Sequence, residues 1–342
     1  MTERIAPFHS EKDEWDALVR RSAGWTHFHL HDWRTVMERV FGHECIYLAA
    51  RDGEGQLTGV LPLVRVKSLL FGHYLVSMPF LNYGGPLGSE AAVRELCDHA
   101  AAIAREDGTT LLELRSRIAL PVPLAVSHRK ITVVLDLPAG DPGRLWHDLP
   151  VKVRSQVRRP QKAGVQVRFG VDQVTPFFEV FSRHMRDLGT PTQPRTFFEC
   201  IAETFPHDVW FGCAYLGSRP VACGCGFSWD GEFEMTWASA LREHSRLAPN
   251  MLLYWACMER AAREGLRLFN FGRCTPGSTT HRFKRQWGSR DVPLWWYQRA
   301  AGARKTTPSP HDGALALGPL VWRRLPLAVA TALGPRIVRW IP

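Results

Sequence analysis

The 342-residue sequence lacks the signatures of several common enzyme classes. It contains no Gly-x-Ser-x-Gly elbow and no Walker phosphate-binding loop, so neither an α/β-hydrolase nor a P-loop nucleotidase is indicated. None of its eight cysteines forms a Cys-x-x-Cys pair. Paired carboxylates are also missing, because the candidate acidic side chains are scattered along the chain. These are Asp136, Asp187, Glu232 and Glu234.

Signals for export and for disulfide bonding are absent as well. Cys223 and Cys225 are the closest cysteines, but on a strand they would point to the same face, too close along one chain for normal disulfide geometry. The N-terminal stretch has no apolar signal region. We therefore expect eight free thiols in a reducing compartment, and a cytoplasmic protein.

The composition is that of a globular protein with a basic surface. Hydrophobic residues make up 45% of the chain and charged residues 22%, and the length suits two domains of ordinary size. The formal net charge is +10, which favours phosphorylated ligands, nucleic acid or anionic membrane as partners. The net charge is the only feature that favours DNA binding, because no helix-turn-helix signal is present.

A degenerate internal repeat gives the fold class. Residues 45–64 and 209–229 each contain two apolar runs around a turn rich in Gly, Asp or Pro, which predicts a β-hairpin. Each hairpin is followed by an amphipathic helix that stops at a glycine, Gly108 or Gly265, and then by an apolar strand that ends in arginine. Such a unit builds a mixed sheet with a helix packed on it, so we predict a duplicated α/β (α+β) protein.

The repeat and the composition predict four segments. Residues 1–140 form an N-terminal domain and residues 141–299 a C-terminal domain, with a boundary in the Pro- and Gly-rich stretch near 137–150. The second domain starts with a basic segment, 151–168, which indicates a helix broken at Pro160 and then a strand. Residues 300–314 have the composition of a linker.

The last segment, 315–342, is predicted to be an amphipathic helix. Its apolar stretch is only about half of the ~20 residues needed to span a bilayer. Arginines flank that stretch, and tryptophans lie near its ends, which is typical of a helix lying on anionic lipid. These residues are Arg323, Arg324, Arg336, Arg339, Trp322 and Trp340. A C-terminal helix docked on the core explains the pattern equally well, and a protein partner is a third interpretation.

Several stretches resemble one known family. The sequences "APNMLLYW", "GSTTHRFKRQWGS" and "PLWWYQ", together with the basic segment and "MRDLGTPTQPRTFF", are similar to FemAB-like transferases of the GNAT superfamily. They most resemble the branch associated with exosortase (PEP-CTERM) and exopolysaccharide loci. The resemblance covers nearly the whole chain and is strongest over 152–297. It implies tandem GNAT-like acyltransferase domains, each a mixed sheet with packed helices.

The resemblance also implies an activity. It indicates transfer of an aminoacyl or acyl group to an amine, or to a hydroxyl, of a cell-envelope or exopolysaccharide precursor. The donor would be aminoacyl-tRNA or acyl-CoA, with no tightly bound cofactor. Two alternatives remain open: an acyl-CoA-dependent N-acetyltransferase, and a non-catalytic scaffold that binds a lipid-linked glycan or an RNA. The location is then the cytoplasm or the inner face of the cytoplasmic membrane.

Two residues are the catalytic candidates. Lys284 aligns with the "FK" signature of the family, where the lysine lies near the donor, and its charge could stabilise the oxyanion that forms in acyl transfer. We expect it in a flexible loop, so that Lys284→Ala abolishes transfer and leaves the thermal melt almost unchanged. Glu234 lies on a predicted central strand and could accept the proton of the acceptor amine. A solvated basic loop is the alternative interpretation of the lysine.

A larger set of residues is predicted to bind the donor. Strand ends collect ligands in α/β folds, the loop before Lys284 carries a serine and an arginine, and the basic segment could contact tRNA phosphates. The stretch before the second helix lacks the glycines of a CoA pyrophosphate loop, although it offers an arginine and a helix-capping asparagine. The predicted donor-binding residues are Arg273, Ser278, Arg282, Asn250, Arg246, Lys152, Arg154 and Arg158.

Two further motifs have competing interpretations. The glycine-rich stretch 82–90 could bind the acceptor, or could be a simple turn in which Ser89 caps the next helix. His27, His29 and His31 would face one way on a strand, as metal ligands could, but Asp32 is a good cap for a helix that starts directly after them. We favour the turn and the helix cap, and predict no metal.

Overall fold

The computed structural model describes residues 3–68, 71–300 and 318–342. The chain divides into two compact units. Among the described residues, the first comprises 3–68, 71–129, 293–300 and 336–342, and the second comprises 130–292 and 318–335. Within the described ranges, each unit is built on one mixed β-sheet.

The strands are numbered in chain order. They are β1 (Arg4–Pro7), β2 (Glu44–Arg51), β3 (Leu57–Ser68), β4 (Gly72–Val76), β5 (Leu87–Gly88), β6 (Leu111–Ser116), β7 (Ala125–Ser127), β8 (Ile131–Asp136), β9 (Val165–Phe169), β10 (Val209–Leu216), β11 (Arg219–Trp229), β12 (Glu232–Ala240), β13 (Leu268–Cys274), β14 (Arg290–Pro293) and β15 (Trp295–Ala300).

The α-helices follow the same convention. They are α1 (Lys12–Arg21), α2 (Trp33–Val36), α3 (Glu90–Glu106), α4 (Pro142–Asp148), α5 (Val151–Lys162), α6 (Val174–Leu188), α7 (Arg195–Thr204), α8 (Pro249–Arg263), α9 (Thr279–Arg285), α10 (Gly318–Trp322) and α11 (Leu327–Val338). Short 3₁₀ turns occupy His27–His29, Val171–Gln173 and Arg242–Leu247, and a π-turn covers Met37–Phe41.

The first sheet has the order β1-β2-β3-β4-β6-β15-β7, with β5 paired to β3. Its described pairs are antiparallel except for β4 and β6, which run parallel. Helix α3 lies on this sheet because its apolar positions recur on one face, where Leu96 and Ala100 pack against Leu61 and Leu112. The side chain of Ser89 caps α3 by accepting the backbone N–H of Ala92 at 3.1 Å, which confirms the predicted cap.

The second sheet has the order β14-β8-β13-β12-β11-β10-β9, in which β12 and β13 run parallel. Neighbouring residues of a strand point to opposite faces, so adjacent aromatics on β10 belong to different layers. Trp210 joins the core that α4, α5 and α8 build on one face. Phe211 contacts Phe177 of α6, which in turn packs on Phe198 of α7.

The predicted duplication is confirmed. In the first unit the repeat runs β2, β3, β4, α3 and β6, and in the second it runs β10, β11, β12, α8 and β13. Both copies begin with an antiparallel hairpin and end with the strand after the helix pairing parallel to the third strand. The two stretches therefore fold alike although their sequences have diverged.

The division between the units differs from the predicted boundary between residues 140 and 141. Residues 131–136 form β8, which pairs with β13 in the second sheet, and Val133 and Val134 are buried there. Residues 295–300 form β15, which pairs with β6 and β7 in the first sheet. The first unit therefore ends at Arg129 and regains a strand from a segment assigned to the C-terminal domain. Residues 301–317, which contain most of the predicted linker, lie outside the described residues.

Two local expectations were wrong. Helix α5 is not broken at Pro160 but continues to Lys162. Proline removes one backbone N–H, and so close to the end of a helix this costs a single hydrogen bond. Helix α2 begins directly after Asp32, as favoured, and the preceding segment His27–His29 is a 3₁₀ turn, but the carboxylate of Asp32 pairs with Lys12 at 2.7 Å instead of capping the helix. In the described part of the chain, no group of three or more His, Cys, Asp or Glu residues could hold a metal ion.

The eight cysteines are free and buried, as expected for structural thiols. Residues 318–335 of the C-terminal segment belong to the second unit, and residues 336–342 belong to the first. Arg323 donates to the carbonyl oxygen of Leu188 at 3.2 Å, and Gly334 is buried against Thr192. Among the described residues, no helix is long and apolar enough to cross a membrane.

Candidate functional site

The second sheet contains a fork between its two parallel strands. Strands β12 and β13 pair over only three residues each, Glu232–Glu234 with Leu268–Asn270. Beyond that point β12 continues along β11 to Ala240, whereas β13 continues along β8 to Cys274. Strands that stop pairing direct backbone donors and acceptors into the gap between them, so the fork is a polar opening in an otherwise apolar sheet.

A buried polar network lies at the apex of this fork. The side-chain amide of Asn270 donates to Oε1 of Glu232 at 2.8 Å and to Oε2 of Glu234 at 3.1 Å. Its carbonyl oxygen accepts the backbone N–H of Gly272 at 2.8 Å and the hydroxyl of Thr132. Glu234 and Asn270 are completely buried. Buried polar groups that satisfy one another in this way fix their own positions.

Lys284 approaches the same region from α9. Its Nζ donates to the carbonyl oxygens of Gly272 at 2.7 Å and of Arg273 at 3.0 Å. Successive carbonyls of a regular strand point in opposite directions. Here the register slips between Asn270 and Arg273, and Gly272 adopts a φ of +72°, which turns both carbonyls toward one ammonium group.

The environment of Lys284 changes its acid–base behaviour. Burial lowers the pKa of Lys284 from 10.5 to about 8; Cys274 and Glu234 oppose that shift, and Arg273 adds to it. An ammonium group has three donors, and the two carbonyls are its hydrogen-bond partners within the described ranges. One donor is therefore available for a ligand in the fork.

The local sequence explains why this lysine is buried. Ser278 caps α9 by accepting the backbone N–H of His281 at 3.1 Å, and Phe283 and Trp287 pack on Tyr254 of α8. The helix turns Lys284 inward between these aromatics. The predicted flexible loop is therefore wrong over α9, and so is the interpretation of Lys284 as a solvated side chain. Removing a side chain that is only 4% exposed would also disturb packing, so an unchanged melt for Lys284→Ala is not expected.

The other predicted residues of this stretch have different surroundings. Arg273 is partly buried at the end of β13, next to Lys284. Ser278 is engaged as the helix cap, and the exposed Arg282 donates to the carbonyl oxygen of Gly277 at 2.9 Å. The structure therefore brings Lys284, Glu234 and Arg273 to the fork, while Ser278 and Arg282 shape the start of α9.

The turn before α8 offers few donors to an anion. Ala248 has a φ of +55° and occupies the cap position, with Pro249 as the first helical residue, so the prediction that Asn250 caps this helix is wrong. Pro249 has no N–H, and the N–H groups of Ala248 and Met251 donate to backbone carbonyls within the turn. A pyrophosphate group would find fewer N–H donors here than at a glycine-rich turn. Arg246 is exposed on the preceding 3₁₀ turn.

The basic helix α5 has an apolar and a cationic face. Val153, Val157 and Pro160 are buried, whereas Lys152 and Arg158 are exposed. Arg158 stacks over Trp146 with its guanidinium carbon 5.3 Å from the ring centre. A further arginine, Arg154, donates to the carbonyl oxygen of His147 at 2.5 Å. Arg158 and Arg154 thus have protein partners, whereas Lys152 is exposed.

The equivalent fork of the first sheet is closed by the chain itself. Strands β4 and β6 pair in parallel from Tyr74–Leu111 to Val76–Glu113. Ser77, the residue after β4, remains hydrogen-bonded to β6, because its backbone N–H donates to the carbonyl oxygen of Glu113 at 2.9 Å. Gly84 and Gly85 both donate to the carbonyl oxygen of Arg115, at 3.1 and 2.8 Å. The segment 77–85 therefore fills the position that is open in the second fork.

The closing segment is held under strain over an ion pair. Met78 and Phe80 adopt positive φ values of 54° and 69°, which non-glycine residues rarely do. Beneath them Arg115 pairs with Glu113 at 2.8 Å, and both side chains are buried. Since Gly84 and Gly85 are occupied within the fold, acceptor binding by this glycine-rich stretch is not supported. The second fork is the candidate site.

Sequence reasoning missed the centre of the network. Asn270 links both carboxylates, the bulge at Gly272 and Thr132, yet it was read only as part of an apolar strand. The signal was present in "LFNFGR", because an asparagine and a glycine interrupt a strand that is otherwise buried. A polar side chain in such a run has to be satisfied inside the protein.

Comparison with known proteins agrees with this geometry. Residues 151–285 match the family model described as an acetyltransferase (GNAT) domain. Comparison with curated protein sequences gives no match. Among solved structures, FemX superposes with a TM-score of 0.63 at 14% identity, over 85% of this chain and 97% of FemX.

Two further solved structures share the fold. A tandem GNAT protein from the clavulanic acid biosynthesis pathway gives a TM-score of 0.57 at 15% identity, covering 89% of this chain and 100% of that one. The C-terminal domain of a putative lysylphosphatidylglycerol synthetase from Agrobacterium fabrum gives a TM-score of 0.54 at 14% identity. The match covers 94% of this chain and 96% of that domain. The predicted fold class, tandem GNAT-like domains, is thereby confirmed. The domain match supports an acyltransferase, and membership of the FemAB-like family and of its exosortase branch stays a prediction.

Proposed function

We propose that the second fork binds an aminoacyl or acyl donor and transfers the group to an amine, or to a hydroxyl, of a cell-envelope or exopolysaccharide precursor. The observation that carries this proposal is that a buried ammonium group, Lys284, and a buried carboxylate, Glu234, both lie at an open fork inside the matched acetyltransferase domain, close enough for the carboxylate to act on the pKa of the lysine. Acyl transfer needs these two functions: a base for the incoming amine and a positive charge for the oxyanion.

The reaction follows from these positions. Glu234, directly or through one water molecule, accepts a proton as the acceptor nitrogen attacks the carbonyl carbon of the donor. A carbon–nitrogen bond forms, and the carbonyl oxygen becomes an oxyanion toward which Lys284 directs its remaining donor. When the intermediate collapses, the bond to the leaving group breaks, and the proton taken by Glu234 passes to the departing hydroxyl or thiol. Asn270 orients the carboxylate throughout.

Aminoacyl-tRNA is the donor that we favour. The turn before α8 is poor in N–H donors for the pyrophosphate of CoA, because Pro249 has none and its neighbours bond within the turn. Three exposed cations suit a phosphate backbone. They are Lys152 and Arg158 of α5, and Arg246 of the 3₁₀ turn that precedes α8. Acyl-CoA is the second candidate, since the matched family is named for acetyl transfer.

The acceptor is proposed from the resemblance of the sequence to the exopolysaccharide-associated branch. Precursors of that kind are assembled at the inner face of the cytoplasmic membrane, where we place the protein. The likeness to a lysylphosphatidylglycerol synthetase domain offers a lipid hydroxyl as a further acceptor of the same reaction. A non-catalytic scaffold that binds a lipid-linked glycan or an RNA is the competing function.

Donor binding tests the proposal. Purified protein is titrated with a charged tRNA pool, with the same pool after deacylation, and with acetyl-CoA, each at low and at moderate salt. We expect charged tRNA to bind more tightly than deacylated tRNA. Lys284→Met should remove that difference, whereas Arg144→Gln, a change at an exposed residue of α4, should retain it. Binding of acetyl-CoA alone would make the protein an acyl-CoA enzyme. Failure of all three ligands to bind would favour the scaffold.

A further inference from the structure

The C-terminal segment combines a docked face with an apolar outer face. Ala330 and Gly334 of α11 are buried, and the backbone of Gly334 approaches Thr192 so closely that an added Cβ would lie 3.1 Å from its backbone atoms. The opposite side of the helix is exposed, with Ala328, Val329, Ala332 and Leu333 recurring at helical spacing. The surface helix of a water-facing protein normally carries polar residues there. The outer face of α11 carries apolar ones.

Helix α10 also exposes apolar side chains. Leu320 is 55% exposed and Val321 is 62% exposed, next to the exposed arginines Arg323 and Arg324. The helix is fixed to the second unit, because Pro319 packs on Gly189, which has a φ of +80°. We call the exposed residues 320–333 of α10 and α11, with Arg323 and Arg324, the apolar–cationic face.

The charge of this segment has one sign. Residues 313–342 contain no aspartate or glutamate and four arginines, which are Arg323, Arg324, Arg336 and Arg339. Asp187 of α6, the helix that α10 contacts, is paired with Arg186 at 2.7 Å. A protein partner could meet exposed leucine and valine, but a surface that also has unopposed arginines complements an anionic one.

We propose that the apolar–cationic face docks on the surface of an anionic lipid bilayer, with α10 and α11 lying in the interface. Exposed Leu320, Val321, Val329 and Leu333 would enter the acyl boundary, and Arg323 and Arg324 would contact phosphate headgroups. A spanning arrangement does not fit, because no helix among residues 3–68, 71–300 and 318–342 is long enough. The two interpretations of the tail, docked and lipid-bound, are compatible because they use opposite sides of one helix.

This inference deepens the proposed function, since it brings the second fork to a surface that carries lipid-linked acceptors. Lipid docking does not depend on the identity of the donor, so the docking proposal and the proposed activity can each fail without the other. Binding to vesicles is measured with no tRNA, CoA or acceptor present, and a protein that binds lipid but transfers nothing would refute only the proposed activity.

Vesicle sedimentation provides the first test. The whole protein should bind vesicles of phosphatidylglycerol and phosphatidylcholine, and should not bind phosphatidylcholine alone. Leu320→Gln/Val321→Gln should weaken binding at least tenfold, because two apolar side chains no longer leave water. Val151→Gln/Val171→Gln is the matched control, since these side chains of the same unit are 72% and 56% exposed. It should bind as the unchanged protein does.

A second pair of variants isolates the charge. Arg323→Gln/Arg324→Gln should weaken binding about thirtyfold, if each basic residue contributes as is usual at an anionic membrane. Arg144→Gln/Arg263→Gln removes the same charge from exposed sites elsewhere on the second unit. Equal losses in both pairs would mean that only the overall charge of the protein attracts vesicles, and would overturn the proposal.

A site-specific probe distinguishes docking from general adhesion. The eight native cysteines are buried, so a cysteine introduced by Val321→Cys can be labelled selectively with an environment-sensitive dye. Its emission should shift to the blue on anionic vesicles, whereas the dye on Val151→Cys should not shift. No shift at position 321, or a native dimer that Leu320→Gln/Val321→Gln dissociates, would refute lipid docking. Urea unfolding verifies that each variant is folded.

Discussion

The Nζ of Lys284 lies 2.7 Å from the carbonyl oxygen of Gly272, at a bulge where β13 has left its parallel partner. This buried cation is held by peptide dipoles, and no carboxylate of the described residues forms a salt bridge with it. Burial consequently lowers the pKa of Lys284 to about 8. A charge that is only partly compensated is well placed to stabilise a negative charge that appears during a reaction.

The first prediction concerns the role of Lys284. Lys284→Met keeps most of the buried volume and removes the charge, and should lower the rate of transfer about 10²- to 10³-fold, as loss of one oxyanion donor does. Thermal unfolding should shift by a few degrees at most, because the buried charge disappears together with its two hydrogen bonds. Arg144→Met, on the exposed surface of α4, is the control and should retain activity. Full activity of Lys284→Met would reduce the lysine to a structural residue.

The second prediction is a pH dependence of stability. The pKa of Lys284 is 10.5 in the unfolded chain and about 8 in the folded one, so between these values the unfolded chain binds more protons. Stability relative to Lys284→Met should therefore rise as the pH increases from about 8 to about 10.5, by roughly 3 kcal/mol in total. Below about pH 8 the penalty of burying the charge is fully present. Urea unfolding of both proteins at several pH values measures the difference, and parallel curves would contradict it.

The third prediction separates the two carboxylates of the network. Glu234→Gln should lower transfer about 10²- to 10⁴-fold, as expected for loss of a general base. Glu232→Gln tests the alternative, because Glu232 also accepts from Asn270 but lies at the start of β12. The Glu232→Gln variant should lose less than tenfold in transfer rate. Equal losses would indicate that the carboxylates only hold the network together.

The fourth prediction concerns the closed fork of the first unit. Gly84→Ala places a Cβ 2.5 Å from the Cγ of Met78 at a φ of +146°, and the strained segment has no room to yield. We expect a loss of about 2 kcal/mol or more in the free energy of unfolding. Gly53→Ala is the control, since nothing lies within 4 Å of its added Cβ. The folded fraction of Gly84→Ala should bind donor normally, because the closed fork holds no ligand.

Much of the fold was accessible from local patterns. Hairpins, amphipathic helices and their glycine stops are encoded by residues near one another, so the duplicated unit was predicted correctly. The partners of β8 and β15 were not, because pairing with β13 and β6 depends on residues over a hundred positions away. Alternation of apolar residues predicts a strand without stating which sheet it joins.

The site was predicted in part for the same reason. Lys284 stood out because large aromatics flank it, and those aromatics also bury it, which the sequence interpretation treated as a loop. Asn270 and Gly272 were overlooked, since their importance comes from a bulge and a fork that only the assembled sheet contains. Whether Glu234 and Lys284 act as proposed stays a prediction for the variants above.

The self-filled fork of the first unit has a consequence for stoichiometry. A chain with two copies of one domain would ordinarily be expected to take up two equivalents of ligand. Because residues 77–85 already satisfy the edge of β6, a calorimetric titration should reach its endpoint at one donor per chain. Residues 77–85 then act on the first copy as a built-in peptide inhibitor would, and we expect the duplicated protein to bind one ligand per chain.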